Sequence, residues 1–356
     1  MQKIGIAGIG NISKIYLDNL TGVFGSRVKV TAVTDVINKR AEKAAAEYGL
    51  KAFPSVKEMI KGSTVDMVLN LTQPKFHFEV ALACIKAGKH IYNEKPLCVT
   101  RDEAAQLVDA AAGKKVRIGG APDTFLGAGI QTCIKLIDDG WIGAPVAATA
   151  FMVNHGPEHW HPAPEFFYKQ GGGPLFDMGP YYLTALVSAL GPVARVCGSA
   201  QKGSDTRLIT SKPLNGTVIN VDVPTHIAGV LDFACGAVGT IITSFDVYSH
   251  TLPCLEVYGT EGSLRFPDPN TFGGPVYVKR FYDNDWSAVP LLKKYAENSR
   301  GLGITDMAEA IEQDRPHRAC GDLAFHVLDI MHGIHDASAS GKYYKIKRKC
   351  KRPAAL

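Results

Sequence analysis

From Gln2 to Gly120 short apolar runs alternate with longer helix-like stretches. "QKIGIA", "VKVTAVTDV", "VDMVLNL", "KHIYNE" and "KVRIGG" are separated by segments such as "NKRAEKAAAEYG", "KFHFEVALACIKAG" and "RDEAAQLVDAAAGK". Strands joined through helices pair in parallel, because a hairpin is too short to bring the chain back in the same direction. The expectation is an α/β fold, a doubly wound parallel sheet with helices on both faces. Local signals agree. Pro74 suits a first helical turn, Gly88 a helix end, and Thr100 with Glu103 has capping-box spacing. Ligands of such sheets bind at the carboxyl ends of the strands, and Gly8, Asp35, Thr72, Glu94 and Lys95 all fall on that edge.

The first strand runs into "GIGNIS" and then a helix, the context in which G-x-G-x-x-G indicates a dinucleotide site. Gly8 allows the tight turn and Gly10 the close approach of a pyrophosphate, with Asn11 and Ile12 at the amino end of the helix, where free N–H groups favour an anion. Ser13 replaces the third glycine. The second strand ends on Asp35, placed to meet the adenosine ribose hydroxyls and to repel a 2′-phosphate, which favours NAD over NADP. Arg40 follows closely and works against that preference.

After Gly120 the rhythm changes. A helix-like "GAGIQTCIKLIDDG" precedes alternating strands, among them "APVAATAFMV", "THIAGVLDFA", "AVGTIITSFDV" and "CLEVYGTEGSLRF", which indicate a mainly antiparallel sheet with one open face. With 356 residues, two domains are expected. The boundaries read as 1–121 for nucleotide binding, 122–340 for substrate binding and oligomerisation, and 341–356 as a basic tail.

Composition, 46% hydrophobic and 21% charged, is that of a globular protein. The net charge of +5 is local: the tail "KYYKIKRKCKRP" holds seven Lys or Arg, leaving 32 basic against 34 acidic side chains elsewhere. Neither nucleic acid nor membrane is therefore expected as a partner. The eight cysteines form no C-x-x-C pair, and this, with a start that lacks a basic leader, points to reduced thiols and a cytoplasmic location.

In "HIYNEKPLCVT" an apolar strand ends on Glu94, Lys95 and Pro96, which places an amine near the nicotinamide end of the nucleotide site. Together "GIGNIS", "TQPKFH", "NEKPL" and "GGGPLFDMGPYYL" resemble the Gfo/Idh/MocA family of glucose–fructose oxidoreductases and inositol dehydrogenases, over residues 5 to about 330. The resemblance implies a Rossmann domain, a C-terminal α+β domain whose large sheet makes dimers or tetramers, and an NAD(P)-dependent oxidoreductase acting on CH–OH groups. It implies contact of Thr72, Gln73 and His77 with the nicotinamide ribose, and an Asp and a His on a helix joining the lysine around the reacting alcohol. Asp177 matches; Tyr181, with Tyr182 beside it, stands where the His is expected. The proton acceptor then falls to Lys95, whose amine, with a reference pKa near ~10.4, needs burial or a neighbouring cation to act as a base. Asp177 is read as orienting substrate or lysine, and Tyr181 as passing the proton or binding the sugar.

"NHGPEHWHP" brings His155, His159, Trp160 and His161 into one loop. Metal ligation is set aside, since no regular spacing aims these histidines together. The alternatives are solvated loop residues or a substrate wall, with Trp160 stacking on a sugar face, His155 and His161 bonding hydroxyls, and one histidine replacing the missing imidazole. Asp123, Thr124 and Arg318 are further substrate candidates. The function the resemblance implies is hydride transfer between NAD and a ring alcohol of a sugar, glycoside or cyclic polyol; "PEFFYKQGGGPLFDMGPYY" resembles members of the family that act on glycosides, which makes oxidation at C3 of a glucoside the specific expectation. The rivals are an NADPH-dependent ketosugar or imine reductase and a non-catalytic NAD sensor.

Overall fold

The computed structural model describes residues 1–356. The chain divides into two compact units, Met1–Leu126 with Asn298–Phe325, and Gly127–Glu297 with His326–Leu356.

The first unit holds β1 (Lys3–Ala7), α1 (Ser13–Thr21), β2 (Lys29–Thr34), α2 (Asn38–Tyr48), β3 (Lys51–Phe53), α3 (Val56–Gly62), β4 (Met67–Asn70), α4 (His77–Lys86), β5 (His90–Asn93), α5 (Arg101–Lys114) and β6 (Ile118–Gly120). Its six strands run parallel in the order β3-β2-β1-β4-β5-β6. All four residues of β4 are buried, as an apolar run covered on both faces requires. The order reverses between β1 and β4, so the loops after these two strands diverge at a switch point where a crevice opens. Thr100 accepts from the Glu103 amide while Glu103 returns a bond to the Thr100 amide, the capping box expected for α5. A later segment, Asn298–Phe325, returns to this unit and carries a helix over Leu302–Glu312.

The second unit holds α6 (Ala128–Asp138), β7 (Pro145–Val153), α7 (Gly173–Leu190), β8 (Val193–Gln201), the hairpin β9 (Thr206–Leu208) and β10 (Val218–Asn220), β11 (His226–Phe233), β12 (Val238–Ser244), β13 (Leu255–Gly259), β14 (Gly262–Phe266), β15 (Val276–Arg280) and β16 (Ser287–Val289). After α8, the Leu302–Glu312 helix of the first unit, α9 (Gly321–Ser340) begins in the first unit and continues in the second, ending before β17 (Tyr344–Lys345). The nine-stranded sheet has the order β16-β15-β14-β13-β7-β12-β11-β8-β17. Every neighbour pair is antiparallel except β12 with β7. Along β11 fully buried residues alternate with half-exposed ones, so one face is packed and the other is open.

The basic tail is an ordered strap. Asp329 Oδ1 accepts from the Tyr344 hydroxyl at 3.0 Å and Oδ2 from the Lys347 and Arg348 amides at 2.8 and 3.0 Å. Lys345, Lys347, Lys349 and Lys351 are exposed at alternate positions while Ile346 is buried. Lys345 on the outermost strand, with the exposed lysines that follow it, keeps this edge charged, which opposes pairing with another chain.

Candidate active site

The glycine loop is held by bonds that its sequence only partly announces. Gly8 has φ 96°, and a Cβ there would lie 2.7 Å from the backbone of Leu71, so only glycine fits between β1 and the loop after β4. A Cβ at Gly10 would meet nothing within 4 Å, which leaves open space over the turn. Ser13 Oγ donates to the Gly10 carbonyl at 2.7 Å, so the serine in the third glycine's place ties the turn down. Asp35 Oδ2 accepts from the Ile9 amide at 2.7 Å and Oδ1 from the Ile37 amide at 2.8 Å. Each oxygen keeps a lone pair for a ribose hydroxyl. Ile12, the N-cap of α1, provides no side-chain cap, and the first turn holds no acid, leaving the helix N–H groups for an anion. A cleft of about 480 Å³ opens here, with Ile9, Gly10 and Asn11 on one wall and Arg40 and Lys43 on another. These features fit a dinucleotide: Gly8–Ile12 for the pyrophosphate, Asp35 and Arg40 for the adenosine.

The loops after β4 and β5 are joined by a buried polar network. Asn70 Oδ1 accepts from the Thr72 amide and hydroxyl at 3.2 and 2.7 Å, and its amide donates to Asn93 Oδ1 at 3.0 Å. Asn93 donates in turn to the Leu97 carbonyl at 2.8 Å. His77 is 0% exposed, and its two ring nitrogens lie 2.7 Å from the Pro96 carbonyl oxygen and 2.9 Å from that of Thr72. The expectation of His77 at the ribose is therefore corrected: its nitrogens are taken by the protein's own backbone. Gln73 is exposed and Thr72 half-buried on the same loop.

Glu94 is buried, and both its oxygens are engaged. Oε1 accepts from the Tyr16 hydroxyl at 2.7 Å and Oε2 from the Lys95 amide at 2.8 Å. With Pro96 held by His77, the backbone is pinned on both sides of Lys95, whose side chain is half-buried. A fixed backbone aims a long amine that would otherwise sample many rotamers.

Asp123 is 1% exposed, and Oδ2 accepts from the Gly301 and Gly303 amides at 2.9 and 3.0 Å. It caps α8, and burial pushes its carboxyl up to about 6. The reading of Asp123 as a substrate ligand is corrected on this ground. Thr124, on the same turn, is 1% exposed, and its wholly buried hydroxyl offers no surface to a ligand. Arg318 Nη1 pairs with the buried Asp306 at 2.5 Å, and its amide donates to the same carboxylate at 2.8 Å.

In the second unit the three glycines before α7 each answer a backbone demand. Gly171 and Gly173 have φ 83° and 84°, and a Cβ on Gly172 would lie 2.6 Å from the Phe166 and Phe167 carbonyls. The chain thereby folds tightly onto the loop before it. Asp177 and Tyr181 follow at i and i+4 on one face. Pro180 between them has no N–H, which frees the Phe176 carbonyl from its helical partner. Tyr182 points elsewhere: it is 3% exposed, and its hydroxyl engages the Cys254 thiol.

His161 lies close enough to Asp177 to feel its charge. Burial pulls the imidazole's pKa down, against the opposing influence of Asp177. The Ala163 amide donates to Nδ1 at 3.0 Å, so the remaining proton of the neutral ring sits on Nε2. His161 is thus equipped to donate to a substrate oxygen, not to take a proton in the missing imidazole's stead. Trp160 is 61% exposed and packs edge-on against His161 and Phe167. His155 stacks on Tyr248 with ring centroids 3.6 Å apart, while His159 is exposed.

A buried ionic network that sequence reading missed holds this loop. Arg207 Nη1 meets Glu158 Oε1 at 3.1 Å, while Nη2 donates to the Phe245 carbonyl at 3.1 Å and to Asp246. Glu158 also accepts from the Tyr168 hydroxyl. No local pattern signals this association, because its members lie up to 88 residues apart.

Residues 2–120 match the family model described as "Oxidoreductase family, NAD-binding Rossmann fold", and residues 130–265 match the GFO/IDH/MocA C-terminal domain. Inositol 2-dehydrogenase 3 of Saccharopolyspora erythraea is 33% identical over 292 residues, 80% of this chain and 79% of that protein. The chain belongs to the Gfo/Idh/MocA family. The 1,5-anhydro-D-fructose reductase of Ensifer adhaerens is 28% identical over 268 residues, covering 74% of this chain and 75% of that one. Among solved structures, an NAD binding oxidoreductase from Klebsiella pneumoniae superposes with a TM-score of 0.84 at 22% identity, over 98% of this chain and 99% of its own. A levoglucosan dehydrogenase in complex with NADH and levoglucosan gives 0.83 at 20% identity, over 98% and 99%. At these identities the two structures share the fold. As a Gfo/Idh/MocA member the chain is an NAD-dependent oxidoreductase.

Proposed function

We propose that this Gfo/Idh/MocA enzyme oxidises a secondary ring alcohol of a glycoside, with the C3 hydroxyl of a glucoside as the specific candidate. The relatives named for inositol and anhydrofructose support a sugar or cyclic polyol as the substrate class. The observation that carries the narrower reading is the loop around Trp160: an exposed indole backed by Phe167 and His161, beside the Nε2 donor of His161. An aromatic face with a neighbouring N–H suits a sugar ring, whose C–H face stacks while its hydroxyls accept and donate hydrogen bonds. A substituent on the sugar extends the stacked area.

Hydride acceptance is the chemistry that NAD supplies when bound. Lys95 Nζ is assigned the hydroxyl proton, because the backbone around it is fixed on both sides and Tyr181 replaces the family's imidazole. Asp177 orients the substrate through its carboxylate, and Tyr181 hydrogen-bonds a substrate oxygen from the same helix face. Reduction of a ketosugar uses the same groups in reverse, with Lys95 as the proton donor.

Trp160→Ala tests the substrate class. KM for a methyl or aryl glucoside is expected to rise about tenfold, equivalent to about 1.4 kcal/mol of lost stacking. KM for myo-inositol, which lacks the added substituent, changes less. Equal changes for both, or none for the glucoside, would remove the support for a glycoside.

A further inference from the structure

His77 sits in a socket that a neutral imidazole cannot satisfy. Both ring nitrogens face carbonyl oxygens, Pro96 at 2.7 Å and Thr72 at 2.9 Å, within the range of N–H···O bonds. A carbonyl oxygen only accepts. The neutral ring has one N–H, so either tautomer sets a bare nitrogen lone pair against an oxygen lone pair at hydrogen-bonding distance. Turning the ring over exchanges the nitrogens for carbons and loses both contacts. The backbone leaves little room to adjust, since the Asn70 and Asn93 side-chain amides both reach the His77 carbonyl at 3.4 Å.

We infer that His77 is an imidazolium, donating to Pro96 and Thr72 together, and that it is the cation placed beside the Lys95 loop to favour the neutral amine. The inference rests on the proposed role of Lys95 as proton acceptor and supplies the neighbouring cation which that role requires. Asn70 and Asn93, the polar side chains from β4 and β5, are neutral. The charged groups that bear on the ring are the Glu94 carboxylate and Lys95. Burial is the largest influence and pulls the imidazole's pKa down, as does Lys95; the two carbonyls and Glu94 oppose it. On balance these influences lower it; the contact geometry argues the other way, because only the doubly protonated ring makes both contacts attractive. Glu94, itself 8% exposed and fixed by Tyr16 and the Lys95 amide, provides the balancing charge. His77 is a positioning residue: it acts on Lys95 through the Pro96 carbonyl and through its charge.

The test uses the full chain labelled with 15N-histidine, the His77 resonances being assigned by their loss in His77→Gln. At neutral pH both ring nitrogens of His77 are expected to be protonated. One protonated and one bare nitrogen would overturn the inference. In parallel, the titration of Lys95 is followed by pH-dependent acetylation with acetic anhydride and mass spectrometry, in wild type and His77→Gln. The glutamine offers only a neutral side-chain amide, and the Lys95 midpoint is expected to rise by about 1 pH unit. If His77→Gln does not fold, His77→Asn provides the same comparison. An unchanged midpoint would overturn the electrostatic coupling. Neither readout depends on turnover, so failure here is distinct from a failure of Lys95 as the catalytic base.

Discussion

Lys95→Ala lowers turnover by about 10²–10⁴-fold, the range expected when a positioned proton-transfer group is removed. The dissociation constant for NAD, followed by titration of the purified variant, is expected to change little, because the cleft beside the glycine loop is lined by Ile9, Gly10, Asn11, Arg40 and Lys43 and not by Lys95. The expected size follows from how Lys95 is held. Glu94 bonds its amide, and the Pro96 carbonyl on its other side meets His77, so the amine starts from a fixed backbone. In the second unit, His161 has its Nδ1 occupied by the Ala163 amide, and Tyr182 is engaged with Cys254, its hydroxyl pushed far up by burial, so neither is equipped to take the proton. Turnover of Lys95→Ala at the wild-type rate, with NAD bound, would reassign the base.

Arg207→Ala destabilises the second unit by about 3–5 kcal/mol, as removing one partner of a buried ion pair does. Arg207 is 9% exposed and balances Glu158 and Asp246, with side-chain exposures of 7% and 20%. Without the guanidinium, Glu158 remains in a buried setting with only neutral donors such as Tyr168. The Glu158 backbone carbonyl also accepts the Thr210 and Ser211 amides at 3.0 Å each, so the segment carrying Trp160 is tied to the β9–β10 excursion at this point. Denaturant unfolding monitored by tryptophan fluorescence measures the loss. A change below about 1 kcal/mol would show that the network does not hold the loop, a magnitude more typical of an exposed pair.

The parts legible in the sequence are those governed by short-range rules. The strand–helix alternation leads to the parallel sheet, the Thr100–Glu103 spacing to the capping box, and the Gly8 turn to its left-handed φ. Asp35 was legible as a residue of the nucleotide edge, but its grip on the Ile9 and Ile37 amides was not, since composition does not reveal which backbone groups face a carboxylate. The short β3 is not legible because three residues of "KAF" carry too little periodicity to identify a strand, and the brief α3 after it is obscured with it. Long-range returns escaped for another reason. Asp123 meets Gly301 across 178 residues, and Glu158 meets Arg207 and, through it, Asp246. Such pairs are set by tertiary packing, and the acid at 123 looks in sequence like any polar residue at a strand exit. The missing imidazole at position 181 was visible at once; the socket that gives His77 its special place depends on two backbone carbonyls and is invisible without coordinates.

Hydride exchange between NAD and a ring alcohol is the chemistry proposed for this chain. It is tested most directly by absorbance at ~340 nm, the reporter of reduced nicotinamide, with purified protein, NAD or NADP, and a panel of glucosides, sugars and inositols. NADH formation is expected with at least one ring alcohol, strongest with a glucoside and faster with NAD than with NADP. NAD that binds without being reduced by any member of the panel would contradict it.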